Sequence, residues 1–336
     1  MTSHLKMLRT LVCALGAWLI AVSAFAQMPR FDSLYVFGDS LADTGNIFIT
    51  TKFLGPPPAV PPSEDPHRTY FNGRFTNGYV EFEYLWQRVT GTAPGSPEGL
   101  RPYLQDPVLR GQKNAVNFAY GGTGTPFFDQ TPGGLWAPGL QGQVELFRIA
   151  LAGRRPSRSA LFAIVTGAND YRDDPFNVPM DPAGVVRNIA QSVERLYQIG
   201  ARHVMVLDLP DLGMVPANAA DPARASFISM VHNTLLEGAM AEVQAARPDL
   251  HLVLARLNPL LQQLTTEKEW HVPALDALSV PGNSTCLFIN PASCQSVAPE
   301  LFLSTLGFLF WDIAHPTTEA HRALGDYLYD ALVASY

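Results

Sequence analysis

Five short stretches of the chain are apolar at nearly every position instead of alternating between apolar and polar residues. Continuous apolar runs of this length are typical of strands that are covered on both faces, as in a parallel sheet packed between helices. The five predicted strands are Ser33–Phe37, Ala115–Ala119, Ala160–Thr166, His203–Leu207 and Leu250–Ala255.

Four longer segments space their apolar residues at helical intervals instead. In the first of them, Phe82, Leu85, Trp86 and Val89 are related by steps of three or four positions, and Val80 precedes them. The alternation of such segments with the strands predicts a doubly wound α/β sandwich. The four predicted helices are Gly78–Val89, Val185–Ile199, Ala225–Ala246 and Thr317–Ala334.

Three irregular segments interrupt this pattern: a Pro-rich stretch over 54–66, a Gly/Pro-rich stretch over 121–142, and a stretch over 272–299. No internal repeat is visible, and no linker composition divides the chain. We therefore expect one domain over residues 27–336.

The first 26 residues have the layout of a secretory signal peptide. Lys6 and Arg9 precede an apolar run that begins at Leu11, and Ala24 and Ala26 place small residues before a cleavage point ahead of Gln27. The alternative is a membrane anchor, but the 16 residues from Leu11 to Ala26 are fewer than the roughly 20 that span a bilayer. No later stretch is long and apolar enough either. The sequence therefore predicts export, to the periplasm or the medium.

Composition excludes two classes of protein. With 47% hydrophobic and 16% charged residues among 336, the chain can bury a core and is not intrinsically disordered. A net charge of −7 without any basic block argues against a nucleic-acid-binding protein.

Removal of the signal peptide leaves two of the three cysteines, Cys286 and Cys294. In an exported protein a close pair predicts a disulfide bond, with two free buried thiols as the alternative. A zinc site needs two further ligands, and none lies at a suitable spacing.

Candidate catalytic residues occur near both ends of the chain. Ser40 follows the first strand, where the reactive edge of an open α/β sheet lies. Asp312 precedes His315 by three residues, a spacing that lets a carboxylate orient an imidazole. Each pattern taken alone also fits a simple turn or a helix cap.

Two further segments supply hydrogen-bond donors for a developing oxyanion. Gly122 ends the segment NFAYGG after the second strand, where a glycine lets the backbone amide approach a substrate closely. Asn169 lies in GAND after the third strand. The neighbouring Asp39 and Asp170 are expected to hydrogen-bond the turns that present Ser40 and Asn169.

These blocks, in this order, resemble the GDSL or SGNH serine esterases and lipases. FGDSLADTGN (37–46), NFAYGG (117–122), GAND (167–170) and DIAHPT (312–317) are similar to the four blocks of that family, and NGRFTNGYVEFEYL (72–85) matches its lipase-like bacterial and plant branch more loosely. The resemblance implies a flavodoxin-like fold with five parallel strands. It further implies Ser40 as nucleophile, His315 and Asp312 as its partners, oxyanion donors at Ser40, Gly122 and Asn169, and neither a metal nor an organic cofactor.

The expected activity is therefore serine-dependent hydrolysis of a small-molecule or lipid carboxylic ester. Removal of O-acetyl groups from polysaccharide and acyl transfer to an alcohol remain alternatives, as does a secreted binding protein without turnover. A Gly-x-Ser-x-Gly elbow is absent from the sequence, which argues against the ordinary α/β-hydrolase family.

Overall fold

The computed structural model describes residues 28–55, 58–64, 70–105, 107, 109, 115–172, 181–266 and 309–336. The predicted signal peptide over 1–26 and the pair Cys286 and Cys294 lie outside these residues. Export and the disulfide bond therefore stay predictions from the sequence.

A sheet of six parallel strands forms the centre of the molecule. The strands are β1 Ser33–Gly38, β2 Arg101–Pro102, β3 Ala115–Asn117, β6 Ala160–Val165, β7 His203–Leu207 and β8 His251–Ala255. In spatial order they are β2, β3, β1, β6, β7 and β8, and each neighbouring pair is parallel. The five predicted strands are thus confirmed, with ends shifted by one or two residues.

The sixth strand, β2, was not predicted, so the sheet has one strand more than expected. It is only two residues long and contains Pro102, which has no backbone N–H to donate. Proline is tolerated at a sheet edge, and β2 is the edge strand beside β3. Neither its length nor its composition has the pattern of a strand.

Seven α-helices lie within the described residues, and four of them correspond to the predicted ones. Their bounds are α1 Asn46–Leu54, α2 Glu81–Thr90, α3 Leu140–Ala150, α4 Pro182–Ile199, α5 Pro222–Ala246, α6 Leu257–Thr266 and α7 Thr318–Ala334. Helices α4 and α5 begin three residues before their apolar periodicity, because Asp181 and Asp221 each cap a helix that has proline at its first position.

The side chains of β1 alternate between two cores. Tyr35 and Phe37 face a core built with α3, α4 and α5, whereas Leu34 and Val36 face a core built with α2 and α7. All six residues of β1 are buried. The molecule is therefore a three-layer α/β sandwich, as predicted, with β1 near its middle.

The order of the strands places a crevice beside β1. When the two-residue β2 is left out, the remaining strands, counted along the chain, have the spatial order 2-1-3-4-5 of flavodoxin. The chain runs from β1 to β3 on one side of the sheet and then crosses to β6 on the other side of β1, so the order of the strands reverses between β1 and β6. In open α/β sheets, ligands bind outside the carboxyl ends of the two strands at this point, and Ser40 and Asn169 follow those two strands.

A small antiparallel hairpin, β4 (Phe128–Gln130) and β5 (Trp136–Pro138), lies within the Gly/Pro-rich stretch that was expected to be irregular. Phe128 and Trp136 are exposed. Residues at its tip, including Pro132 and Leu135, line the cavity described below.

Candidate active site

Ser40 is presented by a sharp turn at the end of β1. The turn needs Gly38, whose φ is +156° and whose absent Cβ would lie 2.0 Å from the carbonyl oxygen of Val165. The buried Gln143 side chain holds the same residue from α3, since it accepts a hydrogen bond from the Gly38 N–H and donates one to its carbonyl, each at 2.8 Å. A residue with a side chain at position 38 would push β1 away from β6.

Ser40, His315 and Asp312 form one line of hydrogen bonds. His315 Nε2 lies 2.8 Å from Ser40 Oγ, and His315 Nδ1 lies 2.7 Å from Asp312 Oδ2. Because the Asp312 carboxylate is an acceptor, Nδ1 carries the ring proton and Nε2 is left to accept from the serine hydroxyl. The structure thus brings Ser40 together with His315 and Asp312, which follow it by more than 270 positions in the sequence.

The carboxylate of Asp312 is kept ionised. Burial alone would raise its pKa. The charge of His315 and the hydrogen bonds from His315, from the backbone N–H of Ala314 and from Tyr70 together lower the pKa by more, so it lies below its ordinary value. Oδ1 also accepts from the backbone N–H of His315 at 2.8 Å. An ionised carboxylate at this place stabilises an imidazolium when one forms.

The loop that carries Asp312 and His315 is closed on itself at the start of α7. Phe310 pairs with Pro316, and the Trp311 N–H donates to the His315 carbonyl at 2.7 Å. The Thr317 side chain then caps α7. The His315 imidazole is thereby held by a short, internally hydrogen-bonded loop at the amino end of α7.

Two candidate oxyanion donors, Gly122 and Asn169, lie at the same crevice. Gly122 has φ +80°, a left-handed conformation that favours glycine. The Asn169 amide donates one of its two N–H groups to the Thr123 carbonyl at 3.0 Å, which ties it to the loop of Gly122. Ser40, His315, Gly122 and Asn169 line one cavity of about 1130 Å³.

Two carboxyls beside these residues, the buried Asp39 and the partly buried Asp170, have different structural roles. Asp39 accepts from the Leu41 N–H at 3.0 Å and so holds the turn of Ser40, as expected, and burial raises its pKa to about 7. Asp170 accepts from its own backbone N–H. It also accepts from the backbone N–H and hydroxyl of Thr125 and so ties the segment of Asn169 to that of Gly122, a contact that no local spacing predicts.

The buried Asp43 links the segment 37–46 to the segment 117–122 through hydrogen bonds. Its carboxylate accepts from the backbone N–H groups of Gly45, Asn46 and Ile47 at 2.6–3.0 Å, which starts α1, and from the N–H of Gly121 at 2.9 Å. Burial raises its pKa to about 6 despite these four donors. The turn of Ser40 and the loop of Gly122 are therefore held at a fixed distance.

Replacing Asp43 by alanine should lower the free energy of unfolding by about 3–4 kcal/mol, because four buried N–H groups lose their acceptor at once. Urea unfolding followed by circular dichroism measures the change. The matched control is Asp221→Ala, which removes an exposed cap with one bond, to the Arg224 N–H, and should cost about 1 kcal/mol. Equal losses for the two variants would contradict the role of Asp43.

Sequence reasoning missed two aromatic residues at the site, Tyr70 and Phe75. The Tyr70 hydroxyl donates to Asp312 Oδ2 at 2.7 Å, and the Phe75 ring lies 5.0 Å from the His315 ring. Phe75 lies within the loosely matching segment 72–85, which was the one signal pointing to this region. The same segment supports the His315 loop, since Thr76 Oγ1 donates to the Pro316 carbonyl at 2.9 Å.

The described ranges contain neither a candidate metal-binding cluster nor a helix that could span a membrane. No group of three or more His, Cys, Asp or Glu side chains in them is arranged to hold a metal ion. Among the same residues, no helix combines the length and apolarity needed to cross a membrane.

Comparison with known proteins finds one family. The family model described as GDSL-like Lipase/Acylhydrolase matches residues 34–328. A phosphatidylcholine-sterol acyltransferase of Aeromonas hydrophila is 26% identical over 351 residues, covering 94% of this chain and 94% of its own. A GDSL esterase/lipase of Arabidopsis thaliana is 27% identical over 336 residues, with 91% and 89% covered.

Solved structures show weaker likeness. A mutant acetyl-xylooligosaccharide esterase from Geobacillus Stearmophilus aligns with a TM-score of 0.45 and 12% identity over 91% of this chain and 96% of its own.

Proposed function

Because the chain belongs to the GDSL-like lipase/acylhydrolase family, we propose that it hydrolyses carboxylic esters through an acyl-enzyme on Ser40. The observation that carries this proposal is the line of hydrogen bonds from Ser40 Oγ through His315 to Asp312, with bonds of 2.8 and 2.7 Å. A serine hydroxyl is a weak nucleophile unless a positioned base removes its proton. His315 is that base.

The reaction proceeds in two halves. Ser40 Oγ attacks the ester carbonyl carbon while His315 Nε2 takes the hydroxyl proton, and the same imidazolium then protonates the departing alcohol as the ester C–O bond breaks. In the second half His315 takes a proton from water, the resulting nucleophile attacks the acyl-serine, and the proton returns to Ser40 Oγ as the acid leaves.

Negative charge develops on the carbonyl oxygen in both halves. The proposed donors to it are the backbone N–H groups of Ser40 and Gly122 and the second N–H of the Asn169 amide. Fixed donors of this kind act without reorganising when charge appears, which is why they lower the barrier. Asp312 meanwhile stabilises the imidazolium that each half-reaction forms.

The walls of the cavity support an apolar acyl group as the substrate. On the side beyond β7 the described lining includes six large apolar side chains, Leu209, Leu212, Val215, Ile228, Leu260 and Leu264. Polar residues interrupt them: Asp208, Asp211, Asn218, Asp221 and Arg224. On the other side the exposed Phe128 and Trp136 flank the hairpin tip that lines the cavity. Each methylene that leaves water for such a wall contributes about 0.8 kcal/mol. An ester with a medium or long acyl chain fits these walls better than an acetyl ester.

Transfer of the acyl group to an alcohol is the second candidate. One relative with near full-length coverage is named as a phosphatidylcholine-sterol acyltransferase. The same acyl-enzyme serves both reactions, because an alcohol can replace water in the second half.

A panel of esters tests the proposed substrate class. We expect kcat/KM on p-nitrophenyl octanoate to exceed that on p-nitrophenyl acetate by roughly 10-fold or more, because the longer chain buries more methylenes. Release of acetate from acetylated xylan should be slower still. Equal rates on acetate and octanoate esters, or a preference for acetylated xylan, would contradict the apolar assignment. Addition of a long-chain alcohol, with the ester product measured, separates transfer from hydrolysis.

A further inference from the structure

Tyr70 contacts the candidate catalytic residues from a distant part of the chain. Its hydroxyl donates to Asp312 Oδ2 at 2.7 Å, the same oxygen that His315 Nδ1 approaches. Its ring packs edge-on against Trp311 and Phe75, with centroids 6.4 and 6.2 Å away. The Phe75 ring in turn lies 5.0 Å from the His315 ring. Tyr70 therefore contacts Asp312 and Phe75 packs against His315, so each member of the Asp312–His315 pair has an aromatic neighbour.

We propose that Tyr70 is a positioning residue of this reaction, which holds the Asp312 carboxylate ionised and turned toward His315. The proposal rests on the proposed function, since it assumes that His315 acts as the base for Ser40. It adds a fourth residue to the hydrogen-bonded line, supplied by the segment before α2.

The hydroxyl of Tyr70 keeps its proton at neutral pH and acts as a donor there. Burial raises its pKa, and the neighbouring Asp312 charge raises it further. Asp312 Oδ1 is already held by the backbone N–H groups of Ala314 and His315, each at 2.8 Å. His315 Nδ1 lies 2.7 Å from Oδ2 and 2.9 Å from Oδ1. Tyr70 donates to Oδ2, so it holds the carboxylate oxygen that lies nearer to the imidazole.

Several carboxylates lie around the His315 imidazole, and they determine how loss of the Tyr70–Asp312 hydrogen bond affects its protonation. Asp312 lies against Nδ1, and the buried Asp39 interacts with the ring from the Ser40 side. Glu81 and Asp170 act on Asp39 in turn. Of these carboxylates Asp312 is the one that Tyr70 bonds. Without that donor Oδ2 becomes more basic and holds a protonated imidazole more strongly, because a hydrogen bond to the ionised form disperses its charge.

The test is the pH profile of Tyr70→Phe, which keeps the ring and removes only the hydroxyl. We expect the acid side of the kcat/KM profile to move to higher pH by about half a unit, because His315 must lose its proton before it can act as base. At the plateau kcat should fall roughly 3- to 10-fold, since the carboxylate loses an orienting bond, while KM stays within about twofold.

The matched control is Tyr84→Phe. Tyr84 also makes a buried 2.7 Å hydrogen bond, to Thr318 Oγ1 three residues after His315, but it does not bond a carboxylate. This variant should lose a similar amount of thermal stability while its pH profile overlies that of the wild type. A purely structural role of Tyr70 would give the same overlap in both variants.

Two outcomes overturn the proposal and are distinguishable. If wild-type turnover is lost in Ser40→Ala but the profile of Tyr70→Phe overlies that of the wild type, Tyr70 has no positioning role and the proposed function stands. If the wild type has no turnover that depends on Ser40, both proposals are wrong.

Discussion

Replacement of Ser40 by alanine should reduce ester hydrolysis by at least about 10³-fold, with the folded structure unchanged. Removing the nucleophile of a serine triad leaves only the catalysis that the oxyanion donors and substrate binding supply. Ser40 lies partly buried in a turn after β1, and the substitution removes one oxygen atom without opening a cavity in the core. We expect loss of its hydrogen bond to His315 to change the free energy of unfolding by about 1 kcal/mol or less.

Ser157→Ala is the matched control for this experiment. Ser157 precedes β6, at the amino ends of the strands and away from the catalytic crevice, and its hydroxyl donates to Asp32 at 2.6 Å. Its loss should leave kcat/KM within about twofold of the wild type. Retention of more than about a tenth of the turnover in Ser40→Ala would refute the assignment of Ser40 and favour another nucleophile or a protein without turnover.

Asn169→Ala should lower kcat by roughly 10²–10³-fold with a smaller effect on KM. The amide serves the charge that develops in the transition state, and loss of one oxyanion donor in other enzymes has an effect of this size. Steady-state kinetics on a soluble p-nitrophenyl ester measures both constants.

Asn188→Ala controls for the loss of an amide in the same region. Its Nδ2 donates to Thr125 Oγ1 at 3.0 Å, close to the bond that Asn169 makes with the Thr123 carbonyl. We expect kcat to change by no more than about threefold in this variant. If Asn169→Ala instead raises KM and leaves kcat unchanged, the residue binds the ground-state ester and is not an oxyanion donor.

The strands and the candidate site residues could be predicted from sequence for a shared physical reason. Strands buried on both faces are apolar at every position, so they stand out without any alignment. In a parallel sheet their carboxyl ends meet at one edge, which brings the residues after β1, β3 and β6 together. Ser40, Gly122 and Asn169 lie at that edge in the structure.

Helix α1 could not be predicted from periodicity because its signals are not periodic. It begins with the buried Asn46, whose amide donates to the carbonyls of Asn117 and Ala119, and its first N–H groups are satisfied by Asp43. Both interactions come from the turn-rich segment before the helix and from a strand some 70 residues away. Polar side chains that serve backbone groups leave no apolar stripe.

Tyr70 illustrates a second limit. Its bond to Asp312 spans 242 positions and involves one hydroxyl, so no spacing rule reaches it. Gln143 bonds Gly38 across 105 positions in the same way. Single long-range hydrogen bonds depend on how loops are placed, which apolar patterning does not determine.

The most direct test of the central claim is covalent labelling of the wild-type protein with a fluorophosphonate. Such a reagent reacts when an activated serine Oγ attacks phosphorus and displaces fluoride, so it reports the nucleophile without assuming a substrate. Intact-mass measurement followed by peptide mapping should show one adduct, on the peptide that contains Ser40, and that adduct should disappear in Ser40→Ala. An unlabelled wild-type protein, or an adduct on any other serine, would contradict the account.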